Sequence, residues 1–290
     1  MNGIGERRAA PVSKRLRVFI VSSAWLAASK AMNSVQPASF GAMGGMPMPG
    51  GWMLSHVWTP TCGHTWLDAA AAFAAMWLAM TIAMMLPSLA PALYRHARAT
   101  YATRATRLMH APSRALLVGA GYFGVWLLAG LLLFPCGAAL VALALHVPAL
   151  ARATPGIAAC IVIIAGALQF TRWKMHALMC CRIEAHGERI EHDVKFASSF
   201  SLVALTSLVA LTTWTSLRDG ARFGLHCVMC CANWMAALIA IGMMNPHAML
   251  WVTAAITAER VLPNQRLIAR TTGSVCLAWG AWMIARAAIV

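Results

Sequence analysis

The sequence has few charged side chains, and acidic ones are especially scarce. Only 11% of the residues are charged, with eight Asp and Glu in 290 residues, whereas an average soluble domain has about 25% charged residues. Hydrophobic residues make up 60% of the chain, and its mean hydropathy is +0.68. Such a chain cannot hide its apolar surface inside one soluble core. We therefore predict an all-α fold, a polytopic helical membrane protein.

The sequence also lacks the common catalytic signatures. It contains no nucleophile elbow, P-loop or dinucleotide-binding fingerprint, so we assign no catalytic residue and do not favour an enzyme. The net charge of +15 would suit nucleic acid, but the arginines stand in clusters between apolar runs. Cytoplasmic loops of membrane proteins have this pattern. The expected partner is therefore the lipid bilayer, with no nucleic acid.

Lys and Arg are absent from residue 31 to residue 94. Within this stretch, residues 37–67 are rich in Gly, Pro and Met, which is typical of a loop. The positive-inside rule places this Met-rich loop outside the cytoplasm. Residues 1–17 carry five Lys and Arg and are expected to form a cytoplasmic N-terminus. Residues 18–290 then form one helical membrane domain, with residues 18–36 as an uncleaved first span.

Further apolar runs predict the other spans. Pro87 and Pro91 are expected to kink or end the second span, and residues 134–156 form either a re-entrant segment or an extended helix end. The segment 197–217 is ambiguous, because nine of the twenty residues 197–216 are Ser or Thr. If it crossed the membrane, the arginines of the next loop would lie on the outer side, so we favour a non-spanning helix. This gives about seven transmembrane helices, with eight as the alternative: 18–36, 68–94, 115–134, 156–172, 225–243, 247–262 and 272–288.

Two segments with similar patterns of His and Cys contain five of the nine cysteines. In the second segment, spacings of three and four residues bring the three thiols to one face of a helix. With seven spans both segments lie at the cytoplasmic end of the membrane and could form one site, whereas with eight they could not. Thiolates and imidazoles suit Cu(I) or zinc. The candidate ligands are His176, Cys180 and Cys181 in HALMCC, and His226, Cys227, Cys230 and Cys231 in HCVMCC.

Methionine is abundant, with nineteen residues. Several lie in the outer loop near Cys62 and His64, which could form a second site. Others stand four apart along the second span or at the end of the cysteine-bearing span. Thioethers bind Cu(I), although Met also fills gaps in apolar cores. Together with the cysteines, these residues could outline a route for a soft cation. They include Met76, Met80, Met84 and Met85 in the second span, and Met243 and Met244.

Glu259 is an acidic residue near the end of an apolar run, AAITAERVLP. Acidic side chains inside a membrane are costly and are usually functional or paired. Arg260 or a neighbouring arginine is one candidate partner for it, and a functional role is the other interpretation.

Four ordered segments resemble a bacterial family of predicted metal-binding integral membrane proteins, a domain-of-unknown-function family. They are MWLAMTIAMMLPSLAP, QFTRWKMHALMCCR, GLHCVMCCANWMAALIAIGMMNPHAM and AITAERVLP, and the similarity runs from about Trp66 to Leu262. The resemblance implies a multi-pass protein of the bacterial inner membrane with a metal site. The usual family pattern separates the first cysteine from a Cys-Arg pair, whereas here MCCR makes them adjacent. The implied motif positions are Met84, Met85, Pro87, Lys174, Cys180, Cys181, Cys227, Cys230, Cys231, Met244 and Glu259.

The favoured function is binding, with transport or delivery as an extension, of a soft metal ion through Cys, His and Met ligands. Copper is the first choice of metal and zinc the second. One alternative is a membrane scaffold or accessory subunit without metal, acting with membrane protein partners or as a homo-oligomer. The other is a membrane thiol oxidoreductase that uses Cys180 and Cys181, or Cys227 and Cys230, as a dithiol.

Overall fold

The computed structural model describes residues 46–48, 52–54, 58–60, 65–102, 111–185, 202–243, 245–262 and 264–289. The predicted N-terminus 1–17, the first span 18–36, Cys62, His64, Met244 and most of the Met-rich loop lie outside the described residues. The described part contains a hairpin of two strands, followed by seven helices. They are β1 (Met46–Met48), β2 (Trp52–Leu54), α1 (Trp66–Ala102), α2 (Ala111–His146), α3 (Pro148–Leu168), α4 (Arg172–Ala185), α5 (Leu202–Ile241), α6 (Pro246–Val261) and α7 (Gln265–Ile289).

The hairpin is the one departure from an all-α fold in the described residues. Its strands are antiparallel, with Pro47 opposite Met53. The three residues between the strands are Pro-Gly-Gly, a sequence that favours a tight turn. The Met-rich stretch predicted as a loop thus contains a short sheet, and the rest of the described fold is helical.

Helix α1 begins with a reciprocal cap, in which the Thr65 backbone N–H donates to Asp68 Oδ2 (2.9 Å) and the Asp68 N–H donates to Thr65 Oγ1 (3.3 Å). The helix then continues for 37 residues. Of the two outcomes expected at Pro87 and Pro91, a kink or an end, the helix itself does not end at either proline. In membrane helices the backbone groups freed by proline can find other partners, so proline does not have to end the helix.

Helix α2 also continues through a proline, Pro135, as far as His146. Residues 135–146 are therefore an extended helix end, and residues 148–156 of the predicted segment belong to α3. Val147 separates α2 from α3, and Pro148 occupies the first turn of α3, where its missing N–H costs nothing.

Helix α5 runs for 40 residues without a break. Over residues 202–217 the prediction of a separate helix is therefore wrong, because this segment continues into the cysteine-bearing helix without a chain reversal. Whether residues 197–217 cross the membrane stays a prediction. Ser and Thr hydroxyls can donate to carbonyls one turn back, so a segment rich in these residues can remain helical. The helix is about 60 Å long at 1.5 Å per residue, twice the thickness of a ~30 Å hydrocarbon core.

Four helical segments of the described chain are long and apolar enough to cross a membrane: Trp66–Leu89, Leu116–His146, Pro148–Leu168 and Thr213–Ile241. Helix α6 has 16 residues, about 24 Å, which is less than the ~30 Å apolar core. The count of seven spans thus stays a prediction. Large apolar side chains such as Leu116, Leu128 and Leu132 point outward and are more than half exposed, as expected of a surface that faces lipid.

Contacts between side chains fix the relative directions of the helices. α1 and α2 are antiparallel, because Trp77 Nε1 donates to the Trp126 carbonyl (2.8 Å) and Phe73 packs on Phe134. α2 and α5 are parallel and very close, since Gly220 lies against Val118 and Gly224 against Tyr122. Small residues at such crossings let membrane helices approach closely.

A tight turn at positions 242–245 reverses the chain between α5 and α6, with φ of 121° at Gly242. α6 therefore runs in the same direction as α1. The main apolar cluster lies among α1, α2, α4, α5 and α6, and it encloses Cys181 of α4 and the three cysteines of α5.

Candidate metal centre

Four buried cysteines from two helices lie side by side in the main apolar cluster. Cys227, Cys230 and Cys231 share the inner face of α5, as their spacing predicts, and each is at most 1% exposed. Cys181 comes from α4 and is 5% exposed. Cys230 neighbours both Cys181 and Cys231, and Cys231 also neighbours Cys227. All four are free thiols, and we call them the thiol cluster.

Helix α4 runs antiparallel to α5, since Lys174 contacts Cys230 and Cys181 contacts His226. The Cys181 thiol donates a hydrogen bond to the backbone carbonyl of His226 (3.2 Å). A hydrogen bond to Cys230 and burial raise the pKa of Cys181 well above its usual range.

Two polar side chains that the sequence did not mark as site residues contact the thiol cluster. Arg260 Nη2 donates to Cys227 Sγ (2.9 Å) and Cys231 Sγ (3.3 Å), and its Nη1 donates to Ser88 Oγ (3.4 Å). The Tyr122 hydroxyl lies 2.7 Å from Cys227 Sγ. A cation beside a thiol favours the thiolate, which is the metal-binding form. Arg260 and Tyr122 are far from the cysteines in the sequence, so no local pattern predicts that they contact the thiol cluster.

A buried ion pair lies next to the thiol cluster. Lys174 Nζ is 3.0 Å from Glu259 Oε2, and the two side chains are 0% and 2% exposed. Lys174 also donates to the Cys230 carbonyl (2.7 Å) and to Asn233 Oδ1 (3.3 Å). The partner of Glu259 is thus Lys174 on α4, and Arg260 instead faces the thiols.

The other oxygen of the Glu259 carboxylate accepts two hydrogen bonds, from Trp234 Nε1 (3.0 Å) and from Thr272 Oγ1 (3.2 Å). The pair therefore ties α4, α5, α6 and α7 together. Two ions buried at this depth are tolerated only when paired and hydrogen-bonded in this way.

The predicted histidine ligands are not gathered into the thiol cluster. His176 is exposed, and its Nε2 lies 3.6 Å from the sulfur of Cys180, also outside the cluster. His226 Nδ1 lies 2.9 Å from the Arg222 carbonyl on its own helix. Cys180 and His176 thus form a separate pair on the outer face of α4.

Met84 and Met85 are 0% exposed and belong to the same apolar cluster as the four thiols. Among the described residues, no group of three or more His, Cys, Asp and Glu side chains is arranged around a point where a metal ion could lie. The thiol sulfurs are instead engaged with Arg260, Tyr122 and one another. The donor set itself consists of soft sulfur atoms, which suits Cu(I) better than hard cations.

A family model described as a copper chaperone matches residues 74–283, more than two thirds of the chain. The matched region includes the thiol cluster, Arg260 and the Lys174–Glu259 pair. No curated protein and no solved structure matches the sequence.

Proposed function

The chain belongs to the PpoB2 family of copper chaperones, and we propose that it carries Cu(I) as a transient cargo on the thiol cluster of Cys181, Cys227, Cys230 and Cys231. The observation that carries this proposal is the convergence of four free, buried thiols from two helices. Free Cys is often only a small buried hydrophobe, but four neighbouring thiols beside a partly buried arginine are more than packing requires.

The chemistry of the donors supports Cu(I) as the cargo. Thiolate and thioether ligands select Cu(I), whereas carboxylate and water ligands suit hard cations. A structural zinc site would hold four ligands in a closed tetrahedron. Two of the four sulfurs here are instead hydrogen-bonded to other side chains, Cys227 to Arg260 and Tyr122 and Cys231 to Arg260, an arrangement that a metal must rearrange on arrival. Such a site suits an ion that is bound transiently.

We place this chaperone in the bacterial inner membrane, with a cytoplasmic N-terminus. Four helices long and apolar enough to span a bilayer support a membrane location. The orientation follows from the positive-inside rule applied to the basic segments. Delivery then requires a partner, either another membrane protein or a second copy of this chain.

The test is the metal content of the full-length protein purified in detergent under reducing conditions. We expect about one Cu(I) per chain after loading, in line with the preference of thiolates for this ion. Cys227→Ser/Cys231→Ser should abolish this loading. A matched control, Cys136→Ser/Cys160→Ser, alters two exposed cysteines and should load like the wild type.

Equal copper loading of both double variants would contradict the proposal, as would no copper in the wild type. Zinc retained in preference to copper would assign the cluster to the second choice of metal. Absence of any metal would favour the scaffold or the oxidoreductase alternative.

A further inference from the structure

Five buried methionines continue the sulfur-lined interior beyond the thiol cluster. Met76 and Met80 stand one turn apart on α1 and are 8% and 6% exposed, and Met235 lies one turn beyond Cys231 on α5 and is 4% exposed. Met243 and Met249, each 8% exposed, lie on either side of the turn between α5 and α6. All five belong to the apolar cluster that contains the thiols, and we call them the methionine cluster.

The position of these residues along the helices follows from the contacts of Arg260. Arg260 on α6 reaches Ser88 on α1 and both Cys227 and Cys231 on α5, so the three helices are near one level there. Met249 precedes Arg260 by eleven residues and Met243 follows Cys231 by twelve, so each lies about 16–18 Å from that level, toward the α5–α6 turn.

Met76, Met80 and Met235 lie between the level of Arg260 and the α5–α6 turn. Because α1 and α6 run in the same direction, Met80 and Met76 precede Ser88 as Met249 precedes Arg260. Met235 is about 6 Å beyond Cys231 along α5. The thioethers are thus spread over the interval from the thiols to the α5–α6 turn.

We propose that the methionine cluster is a second Cu(I)-binding region, a series of thioether positions that accept the ion from the thiol cluster and lead it toward the α5–α6 turn. This inference rests on the proposed function, because it needs Cu(I) as cargo. No electron is transferred in the step. Cu(I) exchanges thiolate sulfurs for thioether sulfurs, and the vacated sulfurs of Cys227 and Cys231 again accept the hydrogen bonds that Arg260 donates.

The charge of the ligands makes this second site weaker than the first. Thioethers are neutral, so bound Cu(I) keeps its positive charge in an apolar surrounding, which is unfavourable. Thiolates neutralise the ion. The methionine cluster should therefore bind Cu(I) only after the thiol cluster is occupied. It should also release Cu(I) readily, as onward transfer of the ion requires.

X-ray absorption at the copper edge of selenomethionine-labelled protein tests this directly, because only a methionine ligand produces Cu–Se scattering. The full-length protein in detergent is loaded with one and then with two equivalents of Cu(I) under reducing conditions. We expect sulfur ligands alone at one equivalent and added Cu–Se scattering at two. Met80→Leu/Met235→Leu/Met249→Leu should lose the Cu–Se signal and about one equivalent of copper, since leucine has no sulfur atom with which to bind Cu(I).

Leucine has nearly the volume of methionine, so these variants keep the packing of the core. The control is Met179→Leu/Met229→Leu, which alters two exposed methionines and should keep the Cu–Se signal. Size-exclusion profiles and tryptophan fluorescence of all variants report whether they are folded.

Failure of this inference and failure of the proposed function are distinguishable. If the wild type binds copper through sulfur but never shows Cu–Se scattering, or if the triple Leu variant retains it, the methionine cluster is packing alone and the thiol site stands. If Cys227→Ser/Cys231→Ser shows Cu–Se scattering with its first equivalent, the methionine site stands independently. If the wild type binds no Cu(I), both proposals are wrong.

Discussion

Replacing Lys174 by methionine should destabilise the protein more than any other change to a single charge in the described helices. The substitution keeps most of the side-chain volume and removes the ammonium, which has contacts with Glu259, the Cys230 carbonyl and Asn233. The Glu259 carboxyl group, 2% exposed, would then have donors only at Oε1. Breaking one side of a buried pair costs about 3–5 kcal/mol.

The pair also predicts a thermodynamic coupling. Lys174→Met/Glu259→Gln removes both charges, so no uncompensated ion remains in the interior. The double variant should therefore be more stable than the sum of the two single variants predicts, by up to about 3 kcal/mol for contacting residues. Arg218→Met on α5 alters an exposed cation and serves as the control, with an expected change within about 0.5 kcal/mol.

The assay is reversible unfolding in mixed detergent micelles, followed by tryptophan fluorescence, for the wild type and all four variants. A loss below about 1 kcal/mol in Lys174→Met would refute the reasoning, because it is the size typical of an exposed pair. Strict additivity of the two single variants would refute it as well.

Three further predictions concern packing and helix ends. Gly220→Ala places a methyl group against the Val118 backbone and should lower the free energy of unfolding by about 1–3 kcal/mol. Gly124→Ala on α2 meets no atom within 4 Å, so it should be neutral or stabilising by up to about 1 kcal/mol, since Ala is the better helix former. Asn245→Ala removes the cap that accepts from the His247 and Ala248 N–H groups and should cost about 1 kcal/mol. The same unfolding assay measures all three, and equal costs for the two glycine variants would contradict the close approach of α2 and α5.

The helical architecture and part of the thiol cluster were predictable from local pattern. Long apolar runs indicated the helices that could cross a membrane, and spacings of three and four residues placed Cys227, Cys230 and Cys231 on one face. The expectation that the two cysteine segments could meet relied on charge placement in the loops. The structure brings only Cys181 of the first segment to the second; Cys180 and His176 lie on another face of α4.

The charged network was not predictable from local pattern. Successive helical residues point about 100° apart, so Glu259 and Arg260 face different neighbours, and their proximity in sequence says little about pairing. The partners of Glu259 and of Cys227 are 85 and 105 residues away, Lys174 and Tyr122. The continuity of α5 was not predictable for a different reason. Nine Ser and Thr residues at 197–216 are unusual in an apolar run, yet their hydroxyls can donate to carbonyls of their own helix.

The most direct test of the account is the Cu(I) affinity of the thiol cluster, measured by competition with a chromophoric Cu(I) chelator. The wild type and Cys136→Ser/Cys160→Ser should withdraw about one equivalent of Cu(I) from the chelator, and Cys227→Ser/Cys231→Ser should withdraw none, because thiolates select this ion. The same withdrawal by all three proteins would contradict the account, since the copper would then be held elsewhere than on the thiols of α5.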